Sequence, residues 1–514
     1  MENTASVKKD PAANRALVTV CLMMATIMQA LDTTIANVAL PYMQGNLSAT
    51  QDQVNWVLTS YIVAAAIMTA PVGWLALKFG SKQILIISAI GFTAASMLCG
   101  IAQSIDQMVL YRLLQGIFGA ALVPLSQSVM MEIYPAERRG QAMAIWGMGV
   151  MLGPIMGPTL GGWLTDNYSW RWVFFVNLPF GIATVLGLLA FMTETEKRQG
   201  LTFDWLGFAA LSIGIGAFQL MLDRGEDLGW FDSSEVWGEA IVAASGVYFF
   251  IAQSLTAKKP FVPIAIFADR NFVAGLIFMF IVGIILLASL ALVTPFVQSV
   301  LGYPVFSAGI LLGARGVGTM AAMMAVGRLM RFIDSRILIF AGLALSTLSL
   351  DMSAGFTTDT TAQTIAITSI VQGVGLGLVF VPLNTVAFST LAPQLRTEAT
   401  AMWTLIRNIG SSAGVSVVIA MLTTTTTLMH ARLGEALTPW NLGLASPDAA
   451  ALSPSTDLGA QILDQILTGQ ATLIAYANDF TAMMWVSLAS FPLLLLLRPP
   501  SGRVASSAPA AHMD

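Results

Sequence analysis

Long apolar stretches alternate with short polar breaks from residue 16 almost to the end of the chain. A helix needs about 20 mainly apolar residues to cross the hydrocarbon of a bilayer. Fourteen stretches of that kind are expected, near 16–40, 54–76, 84–103, 108–131, 140–164, 172–192, 204–222, 236–256, 271–298, 306–327, 337–354, 363–387, 399–425 and 473–497. An even number of spans returns both termini to one side. One segment breaks the rhythm: residues 426–472, opening with "TTLMHARLGEALTPW", are expected as a long connection between the last two spans, with a structure or partner of its own. The Pro/Ser/Ala-rich tail, 498–514, is expected to be disordered.

Composition agrees with the pattern. Of 514 residues, 56% are hydrophobic and 10% charged, and the mean hydropathy is +0.76. A soluble domain carries about 25% charged residues, so the expected class is an all-α integral membrane protein. Cys21 and Cys99 lie in separate apolar runs, which argues against a disulfide framework. The first apolar run follows Lys8, Lys9 and Arg15 and ends in "NVALP" without a small-residue cleavage site, so it is expected to be a retained span.

Charge placement sets the orientation. With both termini cytoplasmic, 18 of the 24 Lys and Arg residues fall inside, Arg171, Arg224 and Arg432 fall outside, and Arg112, Arg315 and Arg407 sit within spans.

The halves also echo each other. "GWLALKFGSK" (73–82) aligns with "GRLMRFIDSR" (327–336), "RGQAMAIW" (139–146) with "RTEATAMW" (396–403), and "QGIFGAALVPL" (115–125) with "QGVGLGLVFVPL" (372–383). Paired six-helix repeats are a transporter architecture with the substrate site between them. The chain therefore divides into a cytoplasmic segment 1–15, a first repeat 16–192, an inserted two-helix region 193–270, a second repeat 271–497 and the tail. Opposite Asp32 and Arg112 the second repeat has Leu286 and Ser369, so that ionisable pair belongs to one half.

Asp32, in "LDTTIANVALP", and Arg112, in "YRLLQG", are expected at similar depth, which makes pairing feasible. A bilayer disfavours the carboxylate and a neighbouring guanidinium favours it, so a carboxyl held between those pulls can take up and release a proton. A static ion pair is the plainer alternative. Gly149, Gly153, Gly157 and Gly161, with Pro154 and Pro158, put small residues on one helix face and kinks beside them, as a close helix contact requires. Gln29, Tyr61, Gln115, Phe118, Trp146, Trp403 and Arg407 are the substrate-binding candidates; lipid-facing or packing roles suit the aromatic ones equally well. Arg315 is a weaker candidate. His430 and His512 are the only histidines, so there is no grouping to hold a metal, and no phosphate-cradling motif appears. An enzyme is disfavoured on that ground. A polar-metabolite importer is disfavoured by the apolar spans.

Together these motifs resemble the fourteen-spanner drug:proton antiporters of the major facilitator superfamily, the EmrB/QacA type. "LDTTIANVALP" is similar to the family's first-helix signature, "GWLALKFGSK" to its loop motif, "RLLQGIFGA" to its fourth-helix arginine motif and "GPIMGPTLGG" to its fifth-helix antiporter motif. "WRWVFFVNLPFG" (170–181) and "QLMLDRGEDLGWF" (219–231) extend the likeness. The loop motif departs at Leu77, where the family usually carries an acid, and at Ser81, where it carries a base. The resemblance implies a major facilitator fold and proton-driven export of hydrophobic and amphipathic drugs, powered by the proton gradient without a cofactor. Asp32 would carry the proton, Arg112 would modulate it, and Gly73 with the glycine-proline helix would form the interface that opens and closes. It further implies the inner membrane of a bacterium with two membranes, a periplasmic adaptor protein and an outer-membrane channel as partners, and no nucleic acid.

Overall fold

The computed structural model describes residues 14–435 and 456–497, apart from 136–137, 195–196, 198–199, 201, 227, 258–259 and 261. The segment 1–13, the middle of the expected long connection and the tail 498–514 lie outside the described residues, as do the side chains of Pro154 and Pro158.

Seventeen α-helices follow one another among the described residues: α1 (Arg15–Asn46), α2 (Gln51–Thr69), α3 (Val72–Phe79), α4 (Ser81–Ile101), α5 (Ile105–Gly119), α6 (Leu122–Ile133), α7 (Arg139–Asn167), α8 (Trp172–Phe175), α9 (Asn177–Phe191), α10 (Trp205–Arg224), α11 (Ser234–Thr256), α12 (Arg270–Pro295), α13 (Val305–Leu329), α14 (Ser335–Ala354), α15 (Ala362–Ser389), α16 (Arg396–Glu435) and α17 (Asp457–Ala489). Local chemistry sets many of the ends. Thr50 and Gln53 cap α2 reciprocally, Thr50 Oγ1 accepting from the Gln53 amide and Gln53 Oε1 from the Thr50 amide. Asp204, Ser233, Asp269, Asp334 and Thr361 cap α10, α11, α12, α14 and α15 in the simpler way. Gly80, at φ 94°, turns the chain between α3 and α4 in a conformation that a side chain would strain.

Twelve helical segments are long and apolar enough to cross a membrane, and the pair α2/α3, bent by 55° where Pro71 interrupts it, makes a thirteenth. The remaining expected span, 140–164, is α7, whose 29 residues would reach about 43 Å at 1.5 Å per residue. It stands outside that count of apolar helices, and the architecture is compatible with fourteen.

The repeat seen in sequence recurs in the packing. α1 packs on α7 as α12 packs on α16; α2 packs on α5 as α13 on α15; α4 packs on α9 as α14 on α17. Four glycines make two of these contacts possible. A methyl group on Gly153 or Gly157 of α7 would overlap Ala30 or Thr34 of α1, and one on Gly410 or Gly414 of α16 would overlap Phe280 or Ile284 of α12. The halves meet where α7 lies along α13 and where α16 crosses α2, α3 and α6. The inserted helices α10 and α11 close on each other at Gly214 and Gly246. α10 then bridges the halves: Asp223 accepts from Thr59 of α2, and Gln219 donates to Ser412 of α16 at 2.5 Å.

The stretch 426–472 is not a loop throughout. α16 continues to Glu435 and α17 begins at Asp457. Forty residues of helix make about 60 Å, twice the hydrocarbon thickness. Beyond the membrane-length portion the two helices stay paired, with His430 Nε2 2.9 Å from Asp464 Oδ1. The apolar pattern stops at the bilayer edge, whereas backbone hydrogen bonding continues through "TTLMHARLGE".

Candidate functional site

The most polar spot in the first half is also among its most buried. Asp32, Arg112, Gln115 and Asn177 are all fully inaccessible to solvent. Four elements bring them together. α1 presents Asp32; α5 presents Arg112 and Gln115, three residues apart and so on one face; the α8–α9 junction presents Asn177; and α2 contributes a backbone carbonyl and a ring. Arg112 Nη1 donates to Asp32 Oδ2 at 2.6 Å and to Gln115 Oε1 at 2.8 Å. Its Nε donates to the Val57 carbonyl at 3.0 Å. The other carboxylate oxygen of Asp32, Oδ1, accepts from Gln115 Nε2 at 2.8 Å and Asn177 Nδ2 at 3.1 Å. Asn177 is itself oriented by Ser96. The guanidinium lies 4.3 Å from the centre of the Tyr61 ring, whose hydroxyl accepts from Gln29.

Three donors on one carboxylate, one of them the Arg112 cation, are what an ionised acid requires in a dry interior. The arrangement suits an Asp32 carboxylate neutralised by Arg112, which also donates to Gln115 and the Val57 carbonyl.

Of the residues expected to bind substrate, Gln29, Tyr61 and Gln115 belong to this network. Phe118 packs on Gly91 of α4, away from the seam between the halves. Trp146 is buried at the seam, stacked on Phe380 of α15 with ring centres 6.0 Å apart. Its repeat partner Trp403 is buried inside the second half against Phe272 and Phe388. Arg407 donates weakly to its neighbour Asn408 at 3.4 Å, and its carbonyl abuts Gly283 of α12.

The glycine stripe of α7 has a different address from the one the resemblance implies. Gly149, Gly153, Gly157 and Gly161 face Met23, Ala30, Thr34 and Ile35 of α1, within one half. The face of α7 at the seam carries Trp146, Gly147 and Thr159, against Phe380, Met323 and Gly309. Gly73 does lie at the seam, pressed against the backbone of Glu398 in α16.

A crevice opens at that seam between α7, α12 and α13, bordered by Met151, Leu286, Leu290, Leu312, Arg315 and Thr319. It holds ≈ 20 Å³, enough for a water molecule and far below the roughly 300–1,000 Å³ of a drug site. Leu286, Thr319 and Met151 continue it toward Phe380 and Leu376. None of the expected substrate residues borders the crevice. The repeat held the missing signal, because Leu286 is the counterpart of Asp32. Asn177 was legible too, inside the motif "WRWVFFVNLPFG".

Two pseudo-symmetric helical halves, a buried ion pair in one and an apolar crevice between them define a polytopic membrane carrier. Residues 22–415 match the Major Facilitator Superfamily. The chain is 35% identical over 506 residues to multidrug export protein EmrB of Escherichia coli K12, covering 95% of this chain and 96% of that protein. It is 34% identical to fatty acid resistance protein FarB of Neisseria gonorrhoeae over 490 residues, covering 94% and 96%. Its fold is similar to that of the human organic anion transporter MFSD10, with TM-score 0.60, 11% identity and coverage of 95% of this chain and 100% of that one. The chain belongs to the major facilitator superfamily, among its EmrB-type members.

Proposed function

We propose that this protein is a proton-driven multidrug efflux transporter that exports hydrophobic and amphipathic compounds across the inner membrane of a bacterium. The observation that carries the proposal is the fully buried Asp32–Arg112 pair, in a chain whose EmrB relatives are named for multidrug export. Protonation of Asp32 from one side frees Arg112. Loss of the proton to the other side restores the pair, and the alternation between paired and unpaired states biases the two halves between conformations. The crevice border is mainly aliphatic, Met151, Leu286, Leu290 and Leu312, with Arg315 and Thr319 beside them, a lining that supports hydrophobic and amphipathic cargo. The proton gradient is the energy source: one charge crossing 100 mV supplies about 2.3 kcal/mol, roughly a fifty-fold drug gradient.

The distribution of basic residues supports cytoplasmic termini. The helical extension of α16 and α17 then lies in the periplasm, where a periplasmic adaptor protein, itself joined to an outer-membrane channel, would meet it.

The test uses purified protein in liposomes holding a pH-sensitive dye. A proton gradient is imposed, ethidium, Nile red or a dansyl fatty acid is added as cationic, neutral or anionic probe, and wild type is compared with Asp32→Asn. Probe-dependent proton flux in wild type, lost in a variant that still binds probe, is the expected result. Equal flux in both would move the proton off Asp32, and no coupled flux with any probe would overturn the function.

A further inference from the structure

Among the described residues two carboxylic side chains are fully buried, one in each half: Asp32 and Asp479. Their surroundings are opposite. Asp32 accepts three hydrogen bonds and faces a guanidinium. Asp479, on α17, has no hydrogen-bond partner at either oxygen and no ion pair. An isolated carboxylate in an apolar interior costs so much that the group takes a proton instead.

Among the described residues, the elements packed on α17 bring aromatic rings to the Asp479 turn, and no cation pairs with it. α12 contributes the Phe296 ring, 5.3 Å from that of Tyr476, at the start of a π-turn (Phe296–Val300) that follows Pro295. The segment after α14 contributes Phe356, stacked on Phe296 and 6.2 Å from Phe480. The Tyr476 phenol stands about one turn away on the same helix. Asp351 of α14 is exposed, Arg407 of α16 donates to Asn408, and Arg270 of α12 donates to the Leu496 carbonyl. His430 pairs with Asp464, fifteen residues up α17 and so about 22 Å from Asp479.

The position is also pointed in the repeat. In the first half the last helix, α9, opens with Asn177, which reaches across to the acid on α1. In the second half the counterpart of α1 carries Leu286 where Asp32 would stand, and the counterpart of α9 carries the acid itself. π-Turns inside helices concentrate at functional sites, and this one lies at the end of α12 nearest Asp479.

We propose that Asp479 is a second proton-binding site of the transport cycle, occupied in the conformation in which Asp32 is ionised. The proposal rests on the proton-driven function above and adds to it a stoichiometry of two. In this conformation an O–H bond holds the proton on Asp479. When α17 shifts against α12 and α14 and water reaches the ring cluster, that bond breaks, the proton passes to water and the carboxylate remains, to be reprotonated from the opposite side.

The test measures the proton:probe ratio in proteoliposomes, from the pH gradient that just holds a set gradient of ethidium, Nile red or dansyl fatty acid. Two protons per probe are expected in wild type and one in Asp479→Asn, so at fixed driving force the attainable probe gradient falls to about its square root. Asp479→Glu, which keeps the proton site, is expected to retain the wild-type ratio. Because Asn matches the neutral acid in shape, the variant is expected to fold; an infrared band of a protonated carboxyl, present in wild type at neutral pH, absent in Asp479→Asn and lost when probe is added, provides a second readout. An unchanged ratio with a band that ignores the probe would overturn this proposal and leave proton coupling at Asp32 intact. Absence of coupled flux in wild type would overturn both.

Discussion

At the scale of single residues, the Asp32–Arg112 pair explains why so many polar groups gather in an apolar bundle. Burying two charges is expensive, and the attraction between them recovers that cost only when the remaining lone pairs and protons are also satisfied. Gln115 and Asn177 meet that requirement for the acid, and the Val57 carbonyl meets part of it for the base. Removing one charge strands the other, so Asp32→Asn and Arg112→Gln alone are each expected to lose about 3–5 kcal/mol. The double variant is expected to lose clearly less than their sum, a coupling that denaturation of all four forms in detergent would reveal. Additive losses would mean that the pair is not coupled. Asn177→Leu, which removes one of three donors from the carboxylate, is expected to cost about 1–3 kcal/mol in the same assay.

Elements are held by how closely their backbones approach. In lipid, helix association draws on van der Waals packing rather than on hydrophobic burial, so small residues at the contact matter most. Thr34 shows how tight the α1–α7 contact is: its hydroxyl donates to the Gly153 carbonyl of the facing helix at 3.0 Å. Gly157→Val has no room beside Thr34 and is expected to abolish accumulation of folded transporter, whereas Gly45→Ala, on the same α1 but with open space around it, is expected to leave it unchanged. Fluorescence size-exclusion of membrane extracts distinguishes these outcomes, and equal profiles would contradict the packing account. The spacing of the glycines alone announced a close contact. Which helix lay across it was not legible, because a helix face has no label until its partner is known.

For the whole molecule, the seam between the halves is the variable that matters. From the middle of α6, Gln127 donates to Asn384 of α15 at 2.6 Å, and the Ser128 hydroxyl lies 3.2 Å from that of Thr397 at the start of α16. With the crevice reduced to ≈ 20 Å³, the halves must part at one end or the other before a drug can enter. Ser128→Cys combined with Thr397→Cys is expected to cross-link with an oxidant or a short bis-thiol reagent, to stop transport and to recover it on reduction. Cys21 and Cys99 are buried and free, so the new pair carries the reaction. Full transport by the cross-linked form would show that this contact does not open during the cycle.

The sequence by itself determined the membrane class, the pattern of spans, the internal repeat and the similar depth of Asp32 and Arg112, because those follow from hydropathy, helical rise and the cost of charge in lipid, all of which act along the chain. It also marked the asymmetry at Leu286. That Asp32 and Arg112 pair was settled by the tertiary structure. Only the tertiary structure decided what stands across a contact: that the glycines of α7 face α1 and not the seam, that Phe118 leaves the centre for α4, that Gln115 and Asn177 complete the ion pair, and that Asp479 has no partner. Those facts depend on residues tens to hundreds of positions apart meeting in space, and a buried acid reads the same in sequence whether or not a donor waits opposite it.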